Sequence, residues 1–167
     1  MWRGAKARFL SQVVGPHFEQ LCRDWALQYG EVLGGPVGEV SAGVVPDQVN
    51  RTQIEVDVAV FSPEWPGERR RLLSLGEAKW GEVMGLRHVE RLRRARELLA
   101  RGKVDAEGAT LVCYGGAGFD EELRELAAGD DSVRLVDPAG ALWGGRGQES
   151  RRRLRAARAT SGSAVVQ

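Results

Sequence analysis

With 167 residues, 43% of them hydrophobic, the chain is long enough for one globular domain with a substantial core. A formal net charge of +1 says nothing on average about a polyanionic partner, so any such partner has to be read from the distribution of charge. No apolar run approaches the ~18 residues of a membrane span, and residues 1–8 lack the apolar core of a signal peptide, so the chain reads as cytoplasmic and without a membrane partner.

Residues 1–14, basic and then apolar, read as a lead-in segment. Gly15-Pro16 opens a helix, because proline is tolerated at the first helical position. Phe18, Leu21, Cys22, Trp25 and Tyr29 recur at helical spacing, and Gly30 can stop the helix. Glu19 lies beside this stripe, stacked on Cys22 and Ala26; such an acid is commonly a first-turn residue favoured by the helix dipole. A strand weakened by Gly38 and Gly43 is predicted over 37–45, followed by a turn at 46–50.

The stretch from 51 to 80 carries the strongest pattern. Ile54, Val56, Val58 and Val60 alternate with Gln53, Glu55, Asp57 and Ala59, a period of two that predicts a strand with one apolar face. Pro63 and Pro66-Gly67 mark a break. A second strand follows over 71–80, with Leu73, Leu75, Glu77 and Lys79 on one face. A hairpin of the two would lay Asp57 beside Glu77 and Lys79.

A helix is predicted over 86–100, with Leu86, Val89, Leu92, Ala95, Leu98 and Leu99 inward and Arg87, Arg91, Arg94 and Arg101 outward. The apolar run 109–114 reads as a strand buried on both faces. A short acidic helix (Asp120, Glu121, Glu122, Glu125) and a last strand over 133–136 precede a final turn or helix over 138–143. Residues 144–167, rich in Gly, Ser and Arg, read as a basic disordered tail. This order predicts an α/β domain with a mixed central sheet flanked by helices on both faces.

Two carboxylates at neighbouring strand ends suit Mg²⁺ (or Mn²⁺), which takes one or two protein carboxylates and fills its octahedron with waters and substrate phosphate. Asp57 and Glu77 supply that minimum, and the carbonyl of Ala78 offers a further oxygen. Lys79 would lie alongside to orient a water or neutralise a phosphate. Basic charge is almost all arginine, the only lysines being Lys6, Lys79 and Lys103, and a compact ammonium does not interchange with a guanidinium at a reacting centre. The set suits phosphodiester hydrolysis. The plain alternative is an ordinary hairpin whose Glu77 and Lys79 pair across strands on the solvent face. Cys22 and Cys113, with no CxxC and no Cys/His cluster, read as buried small hydrophobes.

Phe18-Glu19 on a first helix, Glu55-Val56-Asp57 on a central strand and Glu77-Ala78-Lys79 on the next together resemble the PD-(D/E)xK restriction-endonuclease-like superfamily. The predicted element order is similar to that superfamily's αβββαβ core. Residues 15–25, 54–60 and 76–80 are more closely similar to an uncharacterised domain found at the C-terminal end of archaeal and bacterial P-loop ATPases. The resemblance spans residues 15–143. It implies a nuclease-like domain with Asp57 and Glu77 as the metal pair, Lys79 as the catalytic lysine and Glu19 as an accessory acid. Val56 stands where the motif's proline would be, and no G-x-x-x-x-G-K-[ST] occurs, so an ATPase partner would have to lie outside this chain. Two functions are therefore expected to compete. One is a Mg²⁺-dependent nuclease on DNA, with Arg87, Arg91, Arg94 and Arg101 on phosphates. The other is a non-catalytic nuclease-fold module docking onto a P-loop ATPase, in which the acidic helix would matter more than Asp57.

Overall fold

The computed structural model of the protein describes residues 10–138. The basic tail, residues 139–143 of the final turn and residues 1–9 of the lead-in lie outside them. The first helix, α1 (Gly15–Tyr29), buries Phe18, Cys22 and Ala26. It is entered through a π-helical turn, Leu10–Val14, and Val14 already has helical dihedrals, so Gly15-Pro16 continues a helical segment instead of opening one. Tyr29 is followed by a 3-10 turn, Gly30–Leu33.

Three strands follow: β1 (Glu39–Asp47), β2 (Thr52–Phe61) and β3 (Leu72–Lys79). Next come α2 (Leu86–Ala100), β4 (Thr110–Gly115), α3 (Glu121–Gly129) and β5 (Val133–Val136). β1 runs on through Pro46 and Asp47, where a turn is expected from the sequence. Proline is tolerated there because β1 is an edge strand, which has one side without a ladder to feed. Asp120 caps α3 by accepting the Leu123 amide at 2.8 Å.

The strands form one sheet in the order β1-β2-β3-β4-β5. The first three make an antiparallel meander; β4 and β5 continue it in parallel. The two crossover helices, α2 and α3, lie on the same face, as successive crossovers of one hand in one direction must. Val89, Leu92 and Ala95 of α2 and Leu123 of α3 pack there with Leu75, Leu111, Cys113 and Val133. On the opposite face α1 packs Phe18, Cys22 and Ala26 against Val58, Val60, Val112 and Tyr114. The domain is thus α/β, a mixed sheet between helical layers. The continuous apolar run in β4 is explained, since its residues alternate between two cores.

Two β-bulges correct the expected alternation. Opposite β1 the register passes from Ser41↔Ala59 to Gly43↔Val56, so β2 spends an extra residue at Asp57-Val58. Ile54, Val56 and Ala59 consequently join the α2 side, whereas Val58 and Val60 join the α1 side. The uninterrupted apolar face read over 54–60 does not exist. In β3 the pairing passes from Val60↔Ser74 to Phe61↔Leu72, and the extra residue sends Leu73 to the α1 side while Leu75 faces α2.

Candidate active site at the fork of β2 and β3

β2 pairs with β3 only from Val58↔Gly76 to Phe61↔Leu72. Its earlier half, from Thr52 to Val56, stays with β1 alone. The two central strands therefore part at Asp57. At this fork the Ala78 amide meets no strand carbonyl; it donates instead to Asp57 Oδ2 at 2.8 Å. The N–H and C=O of one strand residue leave by the same edge. The next carbonyl, that of Lys79, takes the Gly116 amide on the β4 side at 2.9 Å. The Ala78 carbonyl is thus directed to the Asp57 side of β3.

Glu77 is only 2% exposed. Its Oε1 lies 3.3 Å from Lys79 Nζ and 3.1 Å from the Arg91 guanidinium reaching across from α2. Burial, and secondarily the Glu77 charge, pushes the neighbouring Cys113 thiol up to about 12. Asp57 acts on the other side of the sheet. Its backbone carbonyl accepts Arg23 of α1 at 3.0 Å, and its charge raises both Glu19 and the Cys22 thiol, in each case second to burial. Arg23 and Lys79 oppose that rise at Glu19.

Sequence alternation places Asp57, Glu77 and Lys79 on a single face. The bulge corrects this: Glu77 and Lys79 are in contact, whereas Asp57 is turned toward Glu19 and α1. The carboxylates flank the fork from its two sides, joined by the Ala78 peptide, and Lys79 is felt by both Glu77 and Glu19.

The arginines of α2 do not form a uniform face. Arg87, Arg91 and Arg94 line a groove of about 520 Å³ with Asn50 of the β1–β2 turn and Thr52 and Gln53 at the start of β2. Arg101 is exposed and lies outside that lining. Arg94 is engaged, donating to both oxygens of Asp47 at 2.8 and 3.0 Å. Asp47 is 1% exposed and also takes Asn50 Nδ2 at 2.8 Å. The Arg94 hydrogen bonds, foremost, hold its carboxyl well below the usual carboxylate range against the opposing pull of burial. Arg87 pairs with Glu82 and Arg91 with Glu77.

Three participants escape the sequence reading. Arg23 is one helical turn after Glu19, a spacing that could have paired them. His88 is buried, its Nδ1 accepting the Gly85 amide at 3.0 Å; it falls one turn before Leu92 on the inward stripe. Asp47 carries no local signal, because its partner lies far along the chain on α2.

The donor set is small. Among the described residues no group of three or more His, Cys, Asp or Glu side chains is arranged to hold a metal ion. Two carboxylates and one backbone carbonyl fit a hard divalent ion that keeps most of its waters, not a dehydrated protein cage. Asp57 Oδ1 accepts no hydrogen bond from a described residue, which leaves it available as a ligand.

No family model matches the chain, and no curated protein or solved structure matches it closely enough to count as a relative. No helix among the described residues is long and apolar enough to cross a membrane.

Proposed function

We propose that the fork is the active site of a Mg²⁺- or Mn²⁺-dependent nuclease of the PD-(D/E)xK restriction-endonuclease-like type, hydrolysing phosphodiester bonds in DNA. The observation that carries this reading is the Asp57–Ala78 hydrogen bond, which joins Asp57 to the Glu77-Ala78-Lys79 triplet where β2 leaves β3. The succession of a helix, three strands, a helix and a strand supports it.

In this reading Asp57, Glu77 and the Ala78 carbonyl would hold the ion, which when bound would supply Lewis acidity at a phosphoryl oxygen and lower the pKa of water. Lys79, partly exposed beside Glu77, neutralises charge building on the phosphate. Glu19, its carboxyl raised by burial and next by the Asp57 charge, holds its proton to higher pH than an ordinary glutamate. Arg87 and Arg91 in the groove, with Arg101 beyond it, contact flanking phosphates.

The test is cleavage of duplex, branched and single-stranded DNA and of RNA with Mg²⁺ or Mn²⁺. Asp57→Ala and Glu77→Ala should abolish cleavage, and Lys79→Arg should be nearly as damaging as Lys79→Met. Glu19→Gln should be milder. Retained cleavage in Asp57→Ala removes the site assignment.

One observation favours the non-catalytic alternative, a nuclease-fold module docking onto a P-loop ATPase. Glu77 already has two cationic partners and Asp57 already satisfies a backbone amide, so neither acid depends on a metal for a partner. A wild type that neither cleaves nor gains thermal stability from Mn²⁺ would favour that reading.

A further inference from the structure

We infer that Arg91 is a displaceable counter-ion for Glu77 that couples metal binding to nucleic-acid binding. The inference rests on the nuclease reading. Two cations meet one oxygen: Lys79 Nζ and the Arg91 guanidinium both approach Glu77 Oε1, at 3.3 and 3.1 Å. The carboxylate is buried, 3% exposed at its side chain, whereas the Arg91 side chain is 48% exposed. Lys79 comes from the same strand two positions on, so its backbone stays beside Glu77. Arg91 reaches over from α2 on a long flexible stem, and its other surroundings are the groove with Arg87, Asn50 and Gln53, where the acids are Glu90 and the Arg94-paired Asp47.

A divalent cation on Glu77 repels the guanidinium and takes the charge it was neutralising. Arg91 then turns into the groove, where a phosphodiester offers a better partner than solvent. The converse holds: a phosphate that draws Arg91 away uncovers Glu77 for the metal. Each ligand removes an obstacle to the other, so their affinities rise together and by the same factor. Without nucleic acid the arginine weakens metal binding at Glu77. Arg91 is a positioning residue, acting through Glu77.

The experiment measures Mn²⁺ binding to the full chain by calorimetry, alone and with a phosphorothioate duplex that resists cleavage. In the wild type, duplex should tighten Mn²⁺ binding, and Mn²⁺ should tighten duplex binding equally; absence of this coupling overturns the inference with no variant needed. Arg91→Gln should bind Mn²⁺ about two- to fivefold tighter without duplex, the range for loss of a half-exposed ion pair. In that variant duplex should change Mn²⁺ affinity less than it does in the wild type. Unchanged or weaker Mn²⁺ binding by Arg91→Gln means that the arginine merely holds Glu77 in place, and the inference falls alone. If the wild type shows no Mn²⁺ binding sensitive to Asp57→Asn, the metal centre falls and takes the inference with it.

Discussion

Asp57 Oδ2 accepts the amide hydrogen of Ala78 at 2.8 Å, a side chain standing where a strand carbonyl would otherwise be. Two consequences follow from one contact. The β3 ladder ends on a carboxylate, so β2 can diverge and open a cleft without leaving the Ala78 N–H unpaired. The same contact fixes Asp57 beside Ala78, the one residue between Glu77 and Lys79. The bulge at Asp57-Val58 makes this possible by turning the carboxylate out of the regular alternation.

Glu19 reports on that carboxylate. Its own carboxyl is raised first by burial and next by the Asp57 charge. Asp57→Asn keeps an oxygen for the Ala78 amide but removes the charge. Glu19 should then titrate lower than in the wild type while staying above an ordinary glutamate, because burial persists. Carboxyl ¹³C titration by NMR measures this directly, and an unmoved Glu19 would separate the two residues.

A raised carboxyl also has a stability signature. A group whose folded pKa exceeds its unfolded one, about 4.3 for Glu, costs stability when ionised, and the cost disappears as the pH falls through that window. Glu19→Gln should therefore melt higher than the wild type at neutral pH, with the gain fading toward pH ~4. A lower melting temperature at neutral pH would make Glu19 a structural acid, not one held at the expense of stability for function.

Gly76, one residue before Glu77, is fixed by packing and not by its dihedrals. A Cβ added there would lie 2.5 Å from Tyr114 Cε2 and 3.3 Å from the Val58 side chain. Tyr114 is fully buried between Trp25 and the sheet, so its ring has little room to retreat. Gly76→Ala should cost about 1–3 kcal/mol, the range for overpacking a filled core. Urea unfolding measures it; a cost within error would mean that the Tyr114 ring moves freely.

Arg94 and Asp47 tie the end of β1 to α2. The Asp47 carboxyl is depressed, so its contribution is present above the unfolded value of about 3.9 and is lost as the pH falls through the folded value. Arg94→Met should lower the melting temperature most at neutral pH. The gap to the wild type should begin to narrow below pH ~4, where the unfolded chain takes up the proton, and close as the pH falls through the depressed folded value of Asp47. A gap independent of pH would mean that Arg94 contributes only its packing.

Local patterns carried much of the fold. The apolar spacing from Leu86 to Leu99 marks α2, and the unbroken run around Val112 marks a strand between two cores. The bulges at Asp57-Val58 and Leu73 were not legible, because they are backbone events that leave a sequence looking regular. They decide which side of the sheet Asp57 serves, and so the expected single face for Asp57, Glu77 and Lys79 failed where Glu77 beside Lys79 held. The partners of Arg91 and Arg94 were invisible for a different reason: Glu77 and Asp47 are brought to α2 by the sheet, and helix periodicity says nothing about what faces the helix.

Those partners divide the four arginines Arg87, Arg91, Arg94 and Arg101. A phosphate contact on duplex DNA contributes a slope of about 0.9 in log affinity against log salt. Arg101 is exposed, and Arg87 and Arg91 have side chains largely open to solvent, 71% and 48%, so each can turn to a phosphate. Arg94 cannot do so without abandoning buried Asp47. Replacing Arg87, Arg91 or Arg101 by Ala should each flatten the salt slope by up to about 0.9. Arg94→Gln should leave the slope unchanged while lowering the melting temperature. Affinity for a labelled duplex, measured at several salt concentrations without metal, decides it. If Arg94→Gln flattens the slope as much as Arg87→Ala, the Asp47 pair opens on binding and Arg94 contacts phosphate like the other three.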